Sequence, residues 1–204
     1  MRQLFLGISS LSNLDLTGIV IGSNQIADDL IIDLAHGTSA ILDCLIQGNS
    51  VDGNIVVSTI YIVGQLQIIS NRAQNITMSG SGTAFINNII SNNIVGAAIT
   101  FSGLSAITYL LFLGNWADAI YLPDNADFIA STSNKFVWNH ASSWSVDGAG
   151  TFTCSGVAGS AETRVVWGNT AGGAVTSGTI TMGNITTRNM NTMNNFASGT
   201  GLAT

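Results

Sequence analysis

The nine residues Phe85 to Asn93, FINNIISNN, are too apolar for a loop and too rich in asparagine for an ordinary strand. Asparagine is depleted in strands because its side chain competes for local backbone hydrogen bonds. Asn87, Asn88, Asn92 and Asn93, set around a pair of isoleucines, therefore call for an architecture that uses their amides.

The same ending recurs along the chain. VIGSN closes at Asn24, LIQGN at Asn49, QIISN at Asn71, NIISN at Asn92, LFLGN at Asn115, FVWN at Asn139 and VVWGN at Asn169. Subtracting successive positions gives steps of 25, 22, 21, 23, 24 and 30 residues. A period near 20 to 25 residues fits either a leucine-rich repeat or a β-helix. The residues after each Asn separate the two: a short turn and then a second β-branched run, such as NIVVSTIYIV, NITMS, AAITFS and AIYLP, with no helix-forming segment. Short alternating runs with turn signals between them, and a single proline at Pro123, predict three short strands per turn.

The predicted fold is all-β, a single-stranded right-handed parallel β-helix of about seven coils. Coils stack at ~4.8 Å, so equivalent positions lie on one another. The isoleucines are expected to fill the bore. Asn24, Asn49, Asn71, Asn92, Asn115, Asn139 and Asn169 are expected to turn one corner in the left-handed backbone region and to bond along the stack as a ladder. Residues 1–17 read as an N-terminal cap or assembly segment, 18–187 as the β-helix, and 188–204 as a C-terminal tail or inter-subunit segment. The interval after Asn139 is longer, which implies an inserted loop or a widened coil.

Composition narrows the function classes. The chain has 204 residues, 46% of them hydrophobic, enough for a large core. Only 8% are charged, so amides and hydroxyls make up the polar surface. A net charge of −6 with five Lys and Arg leaves no basic footprint for nucleic acid or anionic lipid. No apolar run approaches the ~20 residues of a spanning helix, and a soluble chain is expected. The opening MRQLFLGISSLSNLD is interrupted by Gly7 and serines and lacks a clear cleavage site, so no secretory leader is expected. Cys44 and Cys154 read as separate buried thiols.

The repeat resembles that of right-handed parallel β-helix proteins of the pectin-lyase-like type, and most of all those of bacteriophage spikes, fibres and decoration proteins. The resemblance covers roughly Gly18 to Thr187 and rests on pattern, so it bears on fold more than on function. Enzymes of this type cleave polysaccharide with carboxylates, or with calcium and a base, and that inventory is thin here. Asp28, Asp29 and Asp33 form the best acidic cluster, with His36 nearby, but the polygalacturonase motifs are missing and a solvated turn is the favoured reading. Asp124 and Asp127 read as a turn, and His140 as a surface corner. The spacing of His36 and His140 supports no metal site, and no cofactor is expected.

Trp138 and Trp167 are read as equivalent places before the ladder Asn, with Trp116 and Trp144 near neighbouring corners. An indole stack inside a widening bore is the first expectation for them. An exposed aromatic strip that stacks on sugars is the sharper alternative.

The resemblance implies a non-enzymatic virion structural protein of a bacteriophage, a homotrimeric rod that contacts other virion proteins and surface glycans. The alternatives are a polysaccharide lyase or glycosidase on the same fold, and a secreted, extracellular adhesin or ice-binding solenoid. The last needs Thr arrays that GTFTC and GTITM supply only in part.

Overall fold

The computed structural model describes residues 3–7, 15–34, 40–59, 61–122 and 135–146, together with short strands between 151 and 203. It is a parallel β-solenoid, and every strand pairing in it is parallel. The first turn runs through Leu16–Thr17 on face one, Val20–Gly22 on face two, and Gln25–Ile26 then Leu30–Leu34 on face three. The second repeats this with Ala40–Leu42, Leu45–Gln47, Ser50–Val51 and Asn54–Thr59. From the third turn onward, the long strands Arg72–Ile86 and Ile94–Thr108 each serve face three and continue into face one of the next coil.

About five turns carry all three strands, and face two extends to seven strands, ending at Val165–Trp167. The expectation of seven coils thus reaches past the turns whose three strands are described, because residues 123–134 lie outside them.

Each face-two strand is three residues long, and in the first six the middle side chain enters the bore. Register stacks Ile21, Ile46, Ile68, Ile90, Phe112 and Phe136 in one buried column. Face one stacks Ile41, Val63, Phe85 and Ile107 in the same way. Each such side chain contributes ~1.5–3 kcal/mol of burial. The change from isoleucine to phenylalanine marks a fuller bore in the later coils. Phe85, Phe101, Phe112 and Phe136 form a chain of rings with successive centroids 6.1, 5.7 and 5.6 Å apart.

At the N-terminal end, Leu4–Gly7 adds a strand to face three. It pairs with Leu30–Leu34, and Leu4 N donates to Asp29 O at 3.0 Å. Leu4 and Leu6 pack against the core from this position. Leu16–Thr17 is already paired with Ala40–Leu42, just before the boundary expected at residue 18. Of the tail expected at 188–204, only Leu202–Ala203 is described, paired with Thr179–Thr181.

Candidate functional site

Two residues share the work at the corner between faces two and three. Ser23, Gly48, Ser70, Asn92, Gly114 and Trp138 hold positive φ, from 52° to 64°. The residue after each is a ladder asparagine: Asn24, Asn49, Asn71, Asn93, Asn115 and Asn139. The expectation that one Asn would both take the left-handed turn and bond along the stack is therefore corrected. The left-handed residue points outward, and the next residue points in.

For the same reason Asn92 is not a ladder residue. It occupies the left-handed position and is exposed, while Asn93 is 0% exposed and carries the hydrogen bonds. With Asn93 in place, the ladder steps are 25, 22, 22, 22 and 24 residues. Asn169 lies outside the described residues.

The bonding within the ladder is regular. Asn49 Oδ1 accepts from Asn24 N and Nδ2 at 3.0 and 3.1 Å. Asn49 N and Nδ2 both donate to Asn71 Oδ1 at 3.0 Å, and Nδ2 also donates to Ile21 O at 2.9 Å. Asn71, Asn93 and Asn115 repeat the pattern one coil at a time, and Asn139 Nδ2 donates to Phe112 O at 2.8 Å. Each interior amide thus has both donors and its carbonyl engaged, as burial requires.

The corner between faces one and two obeys the same rule. Gly18, Asp43, Gln65, Asn87 and Tyr109 take positive φ, and Ile19, Cys44, Leu66, Asn88 and Leu110 come next in the chain. Asn88 Oδ1 accepts from Leu66 N at 2.8 Å, and its Nδ2 donates to Val63 O at 3.1 Å. Cys44 sits in that column with Sγ donating to Leu42 O at 3.3 Å. Burial pushes its thiol pKa up, the state of an inert thiol.

The acidic cluster is drawn into coil-to-coil bonding. Asp29 Oδ1 accepts from Asn54 N at 2.7 Å and Asn54 Nδ2 at 2.9 Å. Asn54 Oδ1 accepts from Asn75 Nδ2 at 2.7 Å, and Asn75 Oδ1 from Ala98 N at 3.0 Å, which makes a short third ladder headed by a carboxylate. Asp33 Oδ1 accepts from Ser58 Oγ at 2.5 Å. Asp28 is exposed, and its carbonyl accepts from Gly53 N at 2.9 Å. At Gly53 an added Cβ would collide with Asp29 Oδ1 and the Asp28 carbonyl, so this contact requires glycine. His36 lies outside the described residues, and among those described no cluster of three His, Cys, Asp or Glu is placed to hold a metal.

The tryptophans divide. Trp138 is 59% exposed, which overturns its expected place in the bore: it holds φ 52° at the outward corner position. Nor is it equivalent to Trp167, because register pairs Trp167 with Val137 and puts Trp138 one residue further on. Trp116 is 58% exposed and stacks on His140 with ring centroids 4.1 Å apart. Trp144 pairs with Ile120 in register; its side chain and that of Trp167 lie outside the described parts of the chain.

Beside the ladder corner, on face three, runs a trough. One cavity of about 410 Å³ is lined by Gln25, Ala27, Ser50 and Asp52, and a second of about 250 Å³ by Ser50, Asp52, Arg72, Gln74, Ile94 and Gly96. They share Ser50 and Asp52 and so succeed one another along the axis. These positions lie one and three residues after each ladder Asn. Register carries the first column on from Ile94 to Trp116 and His140. Sequence reading picked out the aromatic end of this trough and missed the polar end. Once register replaces Asn92 with Asn93, counting one residue on from each ladder Asn brings Gln25, Ser50, Arg72, Ile94, Trp116 and His140 into one column.

Comparison with known proteins gives no match: no family model fits the chain, and no curated protein or solved structure matches it.

Proposed function

We propose that this chain is a non-enzymatic virion structural protein of a bacteriophage, a fibre, spike or capsid-decorating protein. In this reading it is a right-handed parallel β-helix of about seven coils, assembles as a homotrimer, and carries a glycan-binding flank. The observation that carries the proposal is the continuous ladder from Asn24 to Asn139, buried from Asn49 onward, which ties six successive coils together. Polar groups spent in this way give rigidity along an axis, which is what a rod needs.

Two further features support a structural role over a lyase or glycosidase. Asp29 and Asp33 spend acceptor oxygens on bonds to the neighbouring coil, while catalysis would need such carboxylates turned toward substrate. Low charge also suits a surface that packs against copies of itself. The test is the solution mass by size-exclusion chromatography with light scattering. The proposal expects three times the 21.1 kDa chain mass. A stable monomer would overturn the trimer.

A further inference from the structure

The trough on face three has a chemistry that suits one kind of ligand. Its first column reads Gln25, Ser50, Arg72, Ile94, Trp116 and His140, one residue per coil. The positions three residues after each ladder Asn bring Asp52, Gln74, Gly96 and Asp118 on successive coils. Over the first three coils the trough therefore offers amides, a hydroxyl, a carboxylate and a guanidinium, a mixture of donors and acceptors. Over the next three, register continues the column past the cavities as aromatic and apolar surface: Ile94 is 60% exposed, and Trp116 is 58% exposed with the His140 ring tilted against it. Gly96 keeps the floor low between them, since a Cβ there would stand 2.9 Å from Gln74 Oε1.

Hydroxyl-rich rings with apolar faces need this pairing of mixed hydrogen-bonding groups with an aromatic platform. Six coils at ~4.8 Å put the column's ends about 24 Å apart, and the coil spacing is close to the length of one sugar residue in an extended chain. Charge selects further. Arg72 shares its cavity with Asp52, and Asp118 stands two coils further along, in a chain of net charge −6. A polyanion would meet net repulsion there.

We infer that the trough from Gln25 to His140 binds a linear neutral glycan laid parallel to the solenoid axis, with hydroxyls on Ser50, Asp52, Arg72 and Gln74 and a ring on Trp116. This deepens, and rests on, the reading of the chain as a non-catalytic rod with a glycan-binding flank. It names the flank and excludes uronate polymers as the preferred ligand.

The test titrates linear hexasaccharides of neutral sugars (glucose, xylose and mannose chains) and a galacturonate hexamer into the full chain by calorimetry. At least one neutral chain is expected to bind, and the galacturonate at least tenfold more weakly. Trp116→Ala is expected to weaken binding about tenfold, the scale of losing a central aromatic contact. Gln74→Ala should weaken it by a smaller factor, and Tyr61→Ala, exposed at a distant corner, should leave it unchanged. Failure of every neutral chain to bind, equal or tighter binding of galacturonate, or wild-type affinity in both Gln74→Ala and a folded Trp116→Ala would each overturn the inference. Solution mass separates this from the assembly: a trimer that binds no glycan sinks the trough alone, and a monomer that binds one sinks the trimer alone.

Discussion

Asn71 gives two N–H groups to a single acceptor: its backbone N lies 2.9 Å and its Nδ2 3.2 Å from Asn93 Oδ1. One carbonyl oxygen thus terminates both a main-chain and a side-chain donor of the coil before it, and no neutral side chain but an amide supplies that acceptor together with two donors. The Asn in FINNIISNN is a coil-to-coil fastener, placed where strand hydrogen bonding lapses at a corner.

Removing an interior member should be costly. Asn71→Ala deprives Asn49 N and Nδ2 of their acceptor and Ile46 O of its donor. The unfolding free energy should fall by about 3 kcal/mol, measured by denaturant melts. Asn71→Asp should cost more than Ala, because its second oxygen faces Ile46 O. A loss under about 0.5 kcal/mol, within surface-substitution range, would remove the ladder from the stability account.

The left-handed corners give the opposite sign at two positions. Ser70 holds φ 55°, so Ser70→Gly relieves strain and should stabilise by up to about 1 kcal/mol. Gly114 holds φ 63°, and an added Cβ would meet Asn92 Oδ1 at 2.6 Å, so Gly114→Ala should destabilise by about 1–2 kcal/mol. Thermal melts of the pair check both signs.

The aromatic part of the bore should show the size of its packing. Phe112 touches the rings of both Phe101 and Phe136, and Phe112→Ala should cost about 3–5 kcal/mol. A fall much below that range would mean the later coils close over the cavity.

Cys44 predicts a pH dependence. Burial raises its thiol pKa above the ordinary 9.0, so the folded state disfavours the thiolate. The unfolded chain loses this proton first as pH rises. The associated stability is therefore present below about pH 9 and is lost as pH climbs through the folded value. In a Cys154→Ser background, Cys44 should resist a thiol reagent at pH 8 until the chain unfolds; prompt labelling would contradict its burial.

Fold class was legible because the decisive signal is a spacing. Apolar residues two or three places before an Asn, repeated at about 22 residues, leave little choice but stacked coils. The exact ladder residue at Asn92 or Asn93 was not legible from matching the letters SN, since both residues in a doubled Asn suit a turn. It becomes legible once the five-residue unit is aligned on its bore residue: Ile90 equates with Ile68 and Phe112, and the Asn three places later is Asn93. Trp138 was misplaced for a related reason: its place directly before the ladder Asn was read as a bore position, yet Phe136 two residues earlier takes the bore and the left-handed corner turns Trp138 outward. The trough was illegible until the register was known. Its residues share a column and have no common chemical type, and Arg72, Ile94 and Trp116 look unrelated in sequence.

The central claim is that one asparagine per coil points inward and the residue before it makes the turn. The measurement that tests it most directly compares the unfolding free energies of Asn92→Ala and Asn93→Ala. Asn93→Ala should lose about 3 kcal/mol, and Asn92→Ala no more than about 1 kcal/mol, the cost of alanine at a left-handed φ. The reverse order would put the ladder on Asn92 and contradict the register of the whole solenoid.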